Sequence, residues 1–264
     1  MSIPKRVESR LCEGLKRFQT IVQGAVARDV NETDTVTIVK DFCSEILGYD
    51  KYTELTSEYS IRGTYCDLAI KIENKVVSLI EIKAVGIELK ENHIKQAVDY
   101  ATNLGSEWAI LTNSNNWKIF KIHFKQPIEA EMLYEFNILD LDCKKEDHLE
   151  KMFMLSKEGL GRGVLDSFFT QKRATNKYIL GAILSSDIIL KLVRKELKKL
   201  NDDIKVDLET IETIIKQEVI KREILESSEF QDAQKKISRK KRLQNRTNDK
   251  LDETKKENLV PPQQ

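Results

Sequence analysis

Apolar residues between positions 52 and 137 alternate with polar ones in short runs, and this period-two pattern constrains the fold more than any other feature. Strand side chains point to alternate faces, so such runs of β-prone residues predict half-buried strands. We predict six of them, near residues 52–59, 65–72, 76–82, 108–112, 117–124 and 131–137. A stretch with helical spacing, residues 91–104, separates the third strand from the fourth. This order predicts an α/β fold in which helices flank a mixed sheet.

The segments on both sides of this strand-rich region are predicted to be helical. Apolar residues recur at helical spacing in residues 5–28 and again from Asn31 to Leu47, where Asn31 can cap the start of the helix and Gly48 its end. Residues 147–230 show helical periodicity alone. We therefore divide the chain into an α/β domain, a helical region and a charged tail, at residues 1–142, 143–230 and 231–264. The change from strands to helices falls near residues 142–160, and Gly159–Gly163 (GLGRG) is the expected hinge between the two parts.

The charges of the chain are balanced, with 44 Lys and Arg against 43 Asp and Glu, so net charge does not indicate a nucleic-acid partner. The exception is Lys235–Arg242 (KKISRKKR), six basic residues in eight that could contact phosphates. The low hydrophobicity of the tail favours a disordered, solvated segment instead. The sequence has no apolar run of about 18 residues and no signal-peptide pattern, so we expect a cytoplasmic protein that does not span a membrane.

Two acidic residues and a lysine fall on adjacent predicted strands. Asp67 lies in CDLAI, and Glu81 and Lys83 close the next strand, SLIEIK, fourteen residues later. A tight hairpin brings the two strands side by side, and the period of two then puts Glu81 and Lys83 on one face while Ile82 points to the other. The sequence therefore predicts a patch that combines two carboxylates with one ammonium group.

Such a patch has the chemistry of a magnesium site. Mg²⁺ binds oxygen ligands in an octahedron, usually one or two carboxylates completed by water and phosphate oxygens. Asp67 and Glu81 would supply the carboxylates and the Ile82 carbonyl a third oxygen. Lys83 would stand beside the metal, where its ammonium can orient and acidify the attacking water. The alternative is an ordinary solvated sheet face, because 33% of all residues are charged.

Further residues favour the site over that alternative. Glu32, at the start of the second predicted helix, could reach the metal directly or through water, although an acid there also suits the helix dipole. Gln96 and Tyr100 lie four residues apart on one helix face. The strand, turn and strand of ILTNSNNWKIF follow, and all these stretches occur in a fixed order within about ninety residues.

The segment from Asn31 to Ile122 resembles the PD-(D/E)XK nuclease superfamily. Within it, the segment is similar to the N-terminal nuclease domain of type I restriction enzyme motor (R) subunits and to stand-alone predicted type IV restriction endonucleases. The matching stretches are NETDT with LGYD, CDLAI, IEIKA, QAVDYA and ILTNSNNWKIF. One departure is Cys66, at a position where many members have proline and which shapes the site without binding metal. The resemblance implies a restriction-endonuclease-like mixed sheet flanked by helices.

The resemblance also implies a role for each candidate residue. The two strand acids match the metal-binding acids, the lysine matches the catalytic lysine, and the acid at the helix start matches the acid of the first core helix. The last two residues match a QxxxY element that supports the active site and touches nucleic acid. The expected site therefore consists of Glu32, Asp67, Glu81, Lys83, Gln96 and Tyr100.

These features predict a Mg²⁺-dependent endonuclease that hydrolyses phosphodiester bonds of DNA in restriction or anti-phage defence, with Mn²⁺ as a substitute metal. The sequence leaves RNA open as the alternative substrate. A second interpretation is a non-motor DNA-binding or nuclease subunit that acts only within a multi-protein restriction or anti-phage complex, because no GxxxxGK[ST] phosphate loop occurs in the 264 residues. The helical region would bind that partner, DNA or a second copy of the chain.

Overall fold

A computed structural model describes residues 2–200 and 205–240 of the protein. Contacts divide the chain into two compact units, Met1–Phe169 and Thr170–Gln264. The first unit contains the strands and the helices that cover them, and the described part of the second unit is helical.

The first unit begins with two helices, α1 (Lys5–Arg28) and α2 (Glu32–Asp41), and α2 continues into a wider π turn (Phe42–Ile46). Three strands, a helix and three further strands follow. They are β1 (Leu55–Ile61), β2 (Thr64–Ile72), β3 (Lys75–Ile82), α3 (Glu91–Leu104), β4 (Trp108–Thr112), β5 (Asn116–His123) and β6 (Glu129–Asn137). Their ends lie within three residues of the predicted ones.

The six strands form one sheet in the order β1-β2-β3-β4-β5-β6. Neighbouring strands are antiparallel except β3 and β4, which are parallel. Helix α3 makes the crossover that a parallel pair requires. The predicted α/β fold, a mixed sheet flanked by helices, is therefore confirmed.

Helices cover both faces of the sheet. Helices α1 and α2 contribute apolar side chains to a core on one face, and α3 does so on the other. On strand β3, Ile80 and Ile82 pack in the core on the α1 and α2 side, and Leu79 packs in the core on the α3 side. Because strand side chains alternate, Glu81 and Lys83 also belong to the face covered by α3. The predicted placement of these two charged groups on one face is confirmed.

Two short helices extend the first unit beyond the predicted domain end at residue 142. Helix α4 (Glu146–Leu155) buries Met152 and Phe153 in the same core as α1, so this segment packs with the sheet. Helix α5 (Lys157–Gly161) includes part of the predicted hinge, which thus lies inside the unit. A Cβ atom at Gly159 would lie 2.0 Å from the carbonyl oxygen of Phe153, so glycine allows the close packing of α5.

Helix α6 (Val164–Ala174) crosses the boundary between the units, and further helices form the described part of the second. They are α7 (Lys177–Leu184), α8 (Asp187–Leu200), α9 (Leu208–Ile214) with a π turn (Ile215–Val219), α10 (Arg222–Leu225) and a helix at residues 228–240. The predicted tail begins at residue 231, but residues 231–240 are helical; the rest of it, 241–264, lies outside the described residues. None of the described helices combines the length and apolarity needed to cross a membrane.

Arg10, a half-buried residue, links three segments of the first unit by hydrogen bonds. The Arg10 guanidinium on α1 donates to the carbonyl oxygens of Ile46 and Leu47 at 2.9 and 3.2 Å. It also donates to both carboxylate oxygens of Glu158 on α5, at 2.8 and 2.6 Å. A Cβ atom at Gly48, whose φ is +86°, would lie within 2.5–2.7 Å of this guanidinium. Gly48 therefore both ends the helical segment and leaves room for Arg10.

Replacing Arg10 by methionine is expected to lower the free energy of unfolding of the first unit by about 2 kcal/mol, because the two carbonyls and the carboxylate lose a charged donor. Both tryptophans of the chain, Trp108 and Trp117, lie in this unit, so urea unfolding followed by tryptophan fluorescence measures the change. The control is Arg17→Met on the same helix, which removes an exposed ion pair with Glu45 and should cost less than about 1 kcal/mol.

The effect of Arg10→Met should also depend on pH. In the wild type, the hydrogen bonds from Arg10 hold the pKa of the Glu158 carboxyl below the ordinary value of 4.5. A lowered carboxyl pKa stabilises the folded protein above the unfolded pKa, and this stability is lost as the pH falls through the folded value. The difference between wild type and Arg10→Met should therefore shrink below about pH 4. An equal difference at pH 3 and pH 7 would contradict this account.

Candidate active site

The hairpin of β2 and β3 brings the two predicted strand acids together. Leu68 pairs with Ile80, so the next position places Asp67 opposite Glu81. One Asp67 carboxylate oxygen, Oδ2, accepts a hydrogen bond of 2.6 Å from the backbone N–H of Ile82. This bond fixes the orientation of the Asp67 carboxylate at the carboxyl end of β3.

Glu81 and Lys83 form an ion pair at the same end of the sheet. The Lys83 Nζ donates to Oε1 of Glu81 at 2.6 Å, and the two side chains are 13% and 2% exposed. The other carboxylate oxygen of Glu81, Oε2, is buried and has no hydrogen-bond partner among the described residues. A buried acceptor without a partner is costly, which makes this oxygen an available ligand.

The carboxyl groups of the site are poorly solvated. Burial raises the pKa of Glu81 from 4.5 to about 7, with the charges of Asp67 and Glu32 adding to the rise and the hydrogen bond from Lys83 opposing it. Burial also raises the pKa of Asp67, although the Ile82 N–H and the Lys83 charge partly offset this. At neutral pH, Glu81 therefore titrates instead of remaining a fixed anion.

The ammonium group of Lys83 is held in its charged form by the surrounding acids. Burial lowers the pKa of Lys83, but the hydrogen bond to Glu81 and the charges of Glu81, Glu32 and Asp67 outweigh burial and raise it. The site thus combines one buried cation with several carboxylates, and each charge stabilises or destabilises the others at short range.

Two further acids act on the site from neighbouring elements. The first is Glu32 at the start of α2, whose charge influences Asp67, Glu81 and Lys83. The second is Glu58 on β1, which raises the pKa of Asp67. Glu58 lies between the pairs that join β1 to β2, opposite Asp67, and has a φ of +48° that residues other than glycine rarely adopt.

The alternation pattern does not show which residues of neighbouring strands lie opposite each other. Glu58 could therefore not be identified from the sequence. In the sequence Glu58 is an ordinary charged residue of a strand-forming run, and its unusual backbone and its position near Asp67 appear only in three dimensions. Within the described residues, no three His, Cys, Asp or Glu side chains are grouped closely enough to hold a metal by themselves. The structure therefore brings Asp67 and Glu81 together as a pair, and Glu32 as a third metal ligand stays a prediction.

The predicted Gln96 and Tyr100 pair lies on α3, the helix that covers the same face of β3 as Glu81. The amide nitrogen of Gln96 lies 3.3 Å from the hydroxyl oxygen of Tyr100, which accepts its hydrogen bond. Both side chains are half-buried. Their predicted position on one helix face is confirmed, and their contact with nucleic acid stays a prediction.

An asparagine that had no assigned role holds the loop that leaves the site. The Asn113 amide nitrogen donates to the carbonyl oxygens of Val85 and Ile87, at 3.2 and 2.9 Å. Its Oδ1 accepts from the backbone N–H of Asn116 at 2.7 Å. Asn113 is buried, and the Lys83 backbone N–H donates to the neighbouring Thr112 carbonyl at 2.9 Å. This strand end therefore positions the segment between Lys83 and α3.

Asn113→Ala should expose that segment. We expect a loss of about 2 kcal/mol in the free energy of unfolding, because the carbonyls of buried Val85 and of Ile87 and the N–H of Asn116 lose their partner. Hydrogen–deuterium exchange of residues 84–90 should become faster, because this segment can then open locally without the cost of breaking these hydrogen bonds. Asn115→Ala, two residues along the same turn, is the matched control and should leave that exchange unchanged. Equal exchange in wild type and Asn113→Ala would show that the loop is held by other contacts.

The residues present fit a hard divalent cation. The donors are carboxylate oxygens, one of them buried with no partner within residues 2–200 and 205–240, and Mg²⁺ prefers oxygen ligands of this kind. Asp67 retains its second oxygen, Oδ1, for a ligand while Oδ2 accepts the Ile82 N–H. The carbonyl of Ile82 stays a predicted third ligand.

One comparison with known proteins finds a match, and it covers the strand-rich part of the chain. Residues 39–136 match the family model described as "Type I restriction enzyme R protein N terminus (HSDR_N)". No curated protein and no solved structure matches the chain. The matched range contains Asp67, Glu81, Lys83, Gln96 and Tyr100, and Glu32 precedes it. The predicted resemblance is therefore confirmed: residues 39–136 are similar to the N-terminal region of type I restriction enzyme R proteins, a family that suggests a restriction-type nuclease role.

Proposed function

We propose that this protein is a Mg²⁺-dependent nuclease that hydrolyses phosphodiester bonds of DNA as a restriction or defence endonuclease. The observation that carries the proposal is the buried Oε2 of Glu81, which has no hydrogen-bond partner in the described part of the chain. It belongs to the carboxylate that lies opposite Asp67 and accepts from Lys83. Ordinary ion pairs lie at the surface, where they contribute little to stability. The burial of Glu81 and Lys83 therefore indicates a role other than that of a surface ion pair. A bound cation would relieve the cost of the lone oxygen and the repulsion between the acids.

Each residue of the site has a separate task in this mechanism. Asp67 and Glu81 would hold Mg²⁺, which supplies Lewis-acid stabilisation of the charge that develops on the phosphoryl oxygens. The Ile82 N–H keeps the Asp67 carboxylate in a fixed orientation. Lys83, whose Nζ lies 2.6 Å from Glu81, would orient the attacking water and stabilise negative charge on the phosphate.

The experiment is to incubate the purified protein with supercoiled plasmid and Mg²⁺ or Mn²⁺, beside Asp67→Ala and a reaction with EDTA. We expect nicking or linearisation by wild type with either metal, and none with EDTA or by the variant. Parallel reactions with a folded RNA decide between the two nucleic acids. Equal nicking by wild type and Asp67→Ala would remove the catalytic assignment.

The second candidate is a nuclease subunit that works within a larger assembly. Large apolar side chains are exposed on two helices of the second unit, including Leu180 at 47% on α7 and Ile188 and Leu192 at 61% and 51% on α8. Exposed apolar surface of this kind supports association through the helical region. Mass measurement of the purified protein in solution, with and without plasmid, separates a monomer from a self-associating protein. A monomer that is inactive alone but active in extract would favour a partner protein.

A further inference from the structure

We propose that a second site on the same face of the sheet binds an unstacked nucleobase that presents an amino group. The site is a cavity of about 370 Å³ between β5, β6 and the loop that follows β3. Its polar lining comprises Glu88, Asn116, Lys118, Glu135 and Asn137. The inference rests on the proposed action on DNA and extends it by naming which bases the protein prefers.

A row of residues that pair across neighbouring strands connects the candidate active site with the cavity. Glu81 pairs with Leu111, Leu111 pairs with Lys118, and Lys118 pairs with Glu135. The side chains of Lys118 and Asn116 alternate with the core residue Trp117, so they share the face of Glu81. Two strand spacings separate Glu81 from Lys118, which is about 10 Å. A duplex rises about 3.4 Å per base pair, so the cavity lies within a few nucleotides of the cut.

The loop that leaves the active site also forms a wall of this cavity. Leu89 lines it, and the carbonyl oxygen of Leu89 accepts a hydrogen bond of 3.2 Å from Lys118 Nζ. The same loop is anchored nearer to Lys83 by Asn113. One continuous segment therefore connects the cavity with the catalytic lysine, which allows both to contact the same strand of nucleic acid.

Two polar groups of the cavity, one donor and one acceptor, have no partner among the described residues. The Oδ1 of Asn116 accepts from the amide of Asn137 at 3.1 Å, while its Nδ2 donates no hydrogen bond to any residue of the described chain. Glu135 has Lys118 as its direct cross-strand neighbour, yet the Glu135 carboxylate makes no ion pair within the described residues. An available amide donor and an available carboxylate acceptor thus line one cavity.

This combination favours a base over a phosphate. Two of the lining side chains, Glu88 and Glu135, are exposed acids, and Lys118 is the cation opposite them, so an anion gains little there. A carboxylate accepts from the exocyclic amino group of cytosine or adenine, and an amide donor pairs with a ring nitrogen or a carbonyl oxygen. Thymine has no amino group to offer. Proteins read an unstacked base in this way, by hydrogen bonds to its edge inside a pocket.

The test compares the binding of fluorescent single-stranded oligo-dC, oligo-dA and oligo-dT in EDTA, where no cleavage occurs. We expect wild type to bind oligo-dC and oligo-dA about fivefold more tightly than oligo-dT, the net effect of about one hydrogen bond at a solvent-accessible site. Glu135→Met should reduce this ratio to near one. Asn116→Asp, which keeps the acceptor for Asn137 and removes the free donor, should also lower it.

Glu129→Met is the matched control, because Glu129 is an exposed glutamate at the other end of the same strand, β6. It should change all three affinities alike and keep the ratio, since it alters only the general charge. Equal binding of the three oligonucleotides by wild type, or an unchanged ratio in Glu135→Met, would overturn the proposal. A protein that nicks plasmid with Mg²⁺ without a base preference loses only this inference. A protein that keeps the preference and never cuts loses only the nuclease assignment.

Discussion

Lys83→Met should lower the rate constant for plasmid cleavage by about 10²–10⁴-fold, the usual contribution of a positioned proton-transfer or charge-stabilising group. Lys83 is 13% exposed and its Nζ lies 2.6 Å from Glu81, so methionine keeps most of the side-chain volume and removes the charge. We expect binding of DNA, measured by fluorescence anisotropy in EDTA, to change by less than about tenfold. The rate should therefore fall far more than the affinity.

The control for Lys83→Met is Lys75→Met, at the exposed start of the same strand. It removes an identical charge from β3 outside the site and should leave the cleavage rate within about twofold of wild type. A further variant, Lys83→Arg, keeps the charge with a different shape and should recover only a small part of the activity, because arginine and lysine are not equivalent at a tightly packed site. Cleavage by Lys83→Met at the wild-type rate would exclude Lys83 from catalysis.

Glu81→Gln should stabilise the metal-free protein while it abolishes cleavage. Burial raises the pKa of Glu81 to about 7, so its ionised form is disfavoured in the folded state. A neutral amide of nearly the same shape removes that cost, which amounts to about 3 kcal/mol above pH 7 from the difference between folded and unfolded pKa values. Urea unfolding in EDTA at pH 8, followed by tryptophan fluorescence, measures the gain.

The gain from Glu81→Gln should disappear at low pH. A carboxyl group with a raised folded pKa costs nothing below its unfolded pKa, here 4.5, and the cost grows as the pH rises from there to about 7. Wild type and Glu81→Gln should therefore be equally stable near pH 4 and differ most near pH 8. Glu129→Gln, on the exposed part of β6, should show no such trend.

Magnesium supplies a second readout for the same variant. Wild type should be stabilised by millimolar Mg²⁺, because binding to the folded state alone adds to its stability, and Glu81→Gln should not respond. A loss of stability in Glu81→Gln at pH 8, together with an unchanged response to Mg²⁺, would show that Glu81 is an ordinary structural acid. Stability and function would then not oppose each other at this position.

The positions of the strands and of α3 were readable from the sequence because their apolar residues are periodic over six or more positions. The helical region was less readable. The helical periodicity of residues 147–230 does not reveal the break between α7 and α8, at Ser185 and Ser186, since periodicity persists across a short break. The loss of the strand pattern predicts a domain end at residue 142, whereas the first unit continues to Phe169, because α4 also buries its apolar face in the core of α1.

For the site, the sequence by itself determined that two acids and a lysine end adjacent strands, and that Glu81 and Lys83 share a face. These are consequences of the hairpin and of the period of two. Only the tertiary structure decided that Glu81 is buried and that one of its oxygens has no partner among the residues the structure describes, since burial depends on α3 and on the parallel strand β4. Likewise, Glu58 became visible only through its register opposite Asp67, and Asn113 only through the distant carbonyls that it binds. The local sequence pattern determines which side chains a strand places on each face. Long-range packing determines how well those side chains are solvated, and solvation sets their pKa values and their ability to bind a ligand.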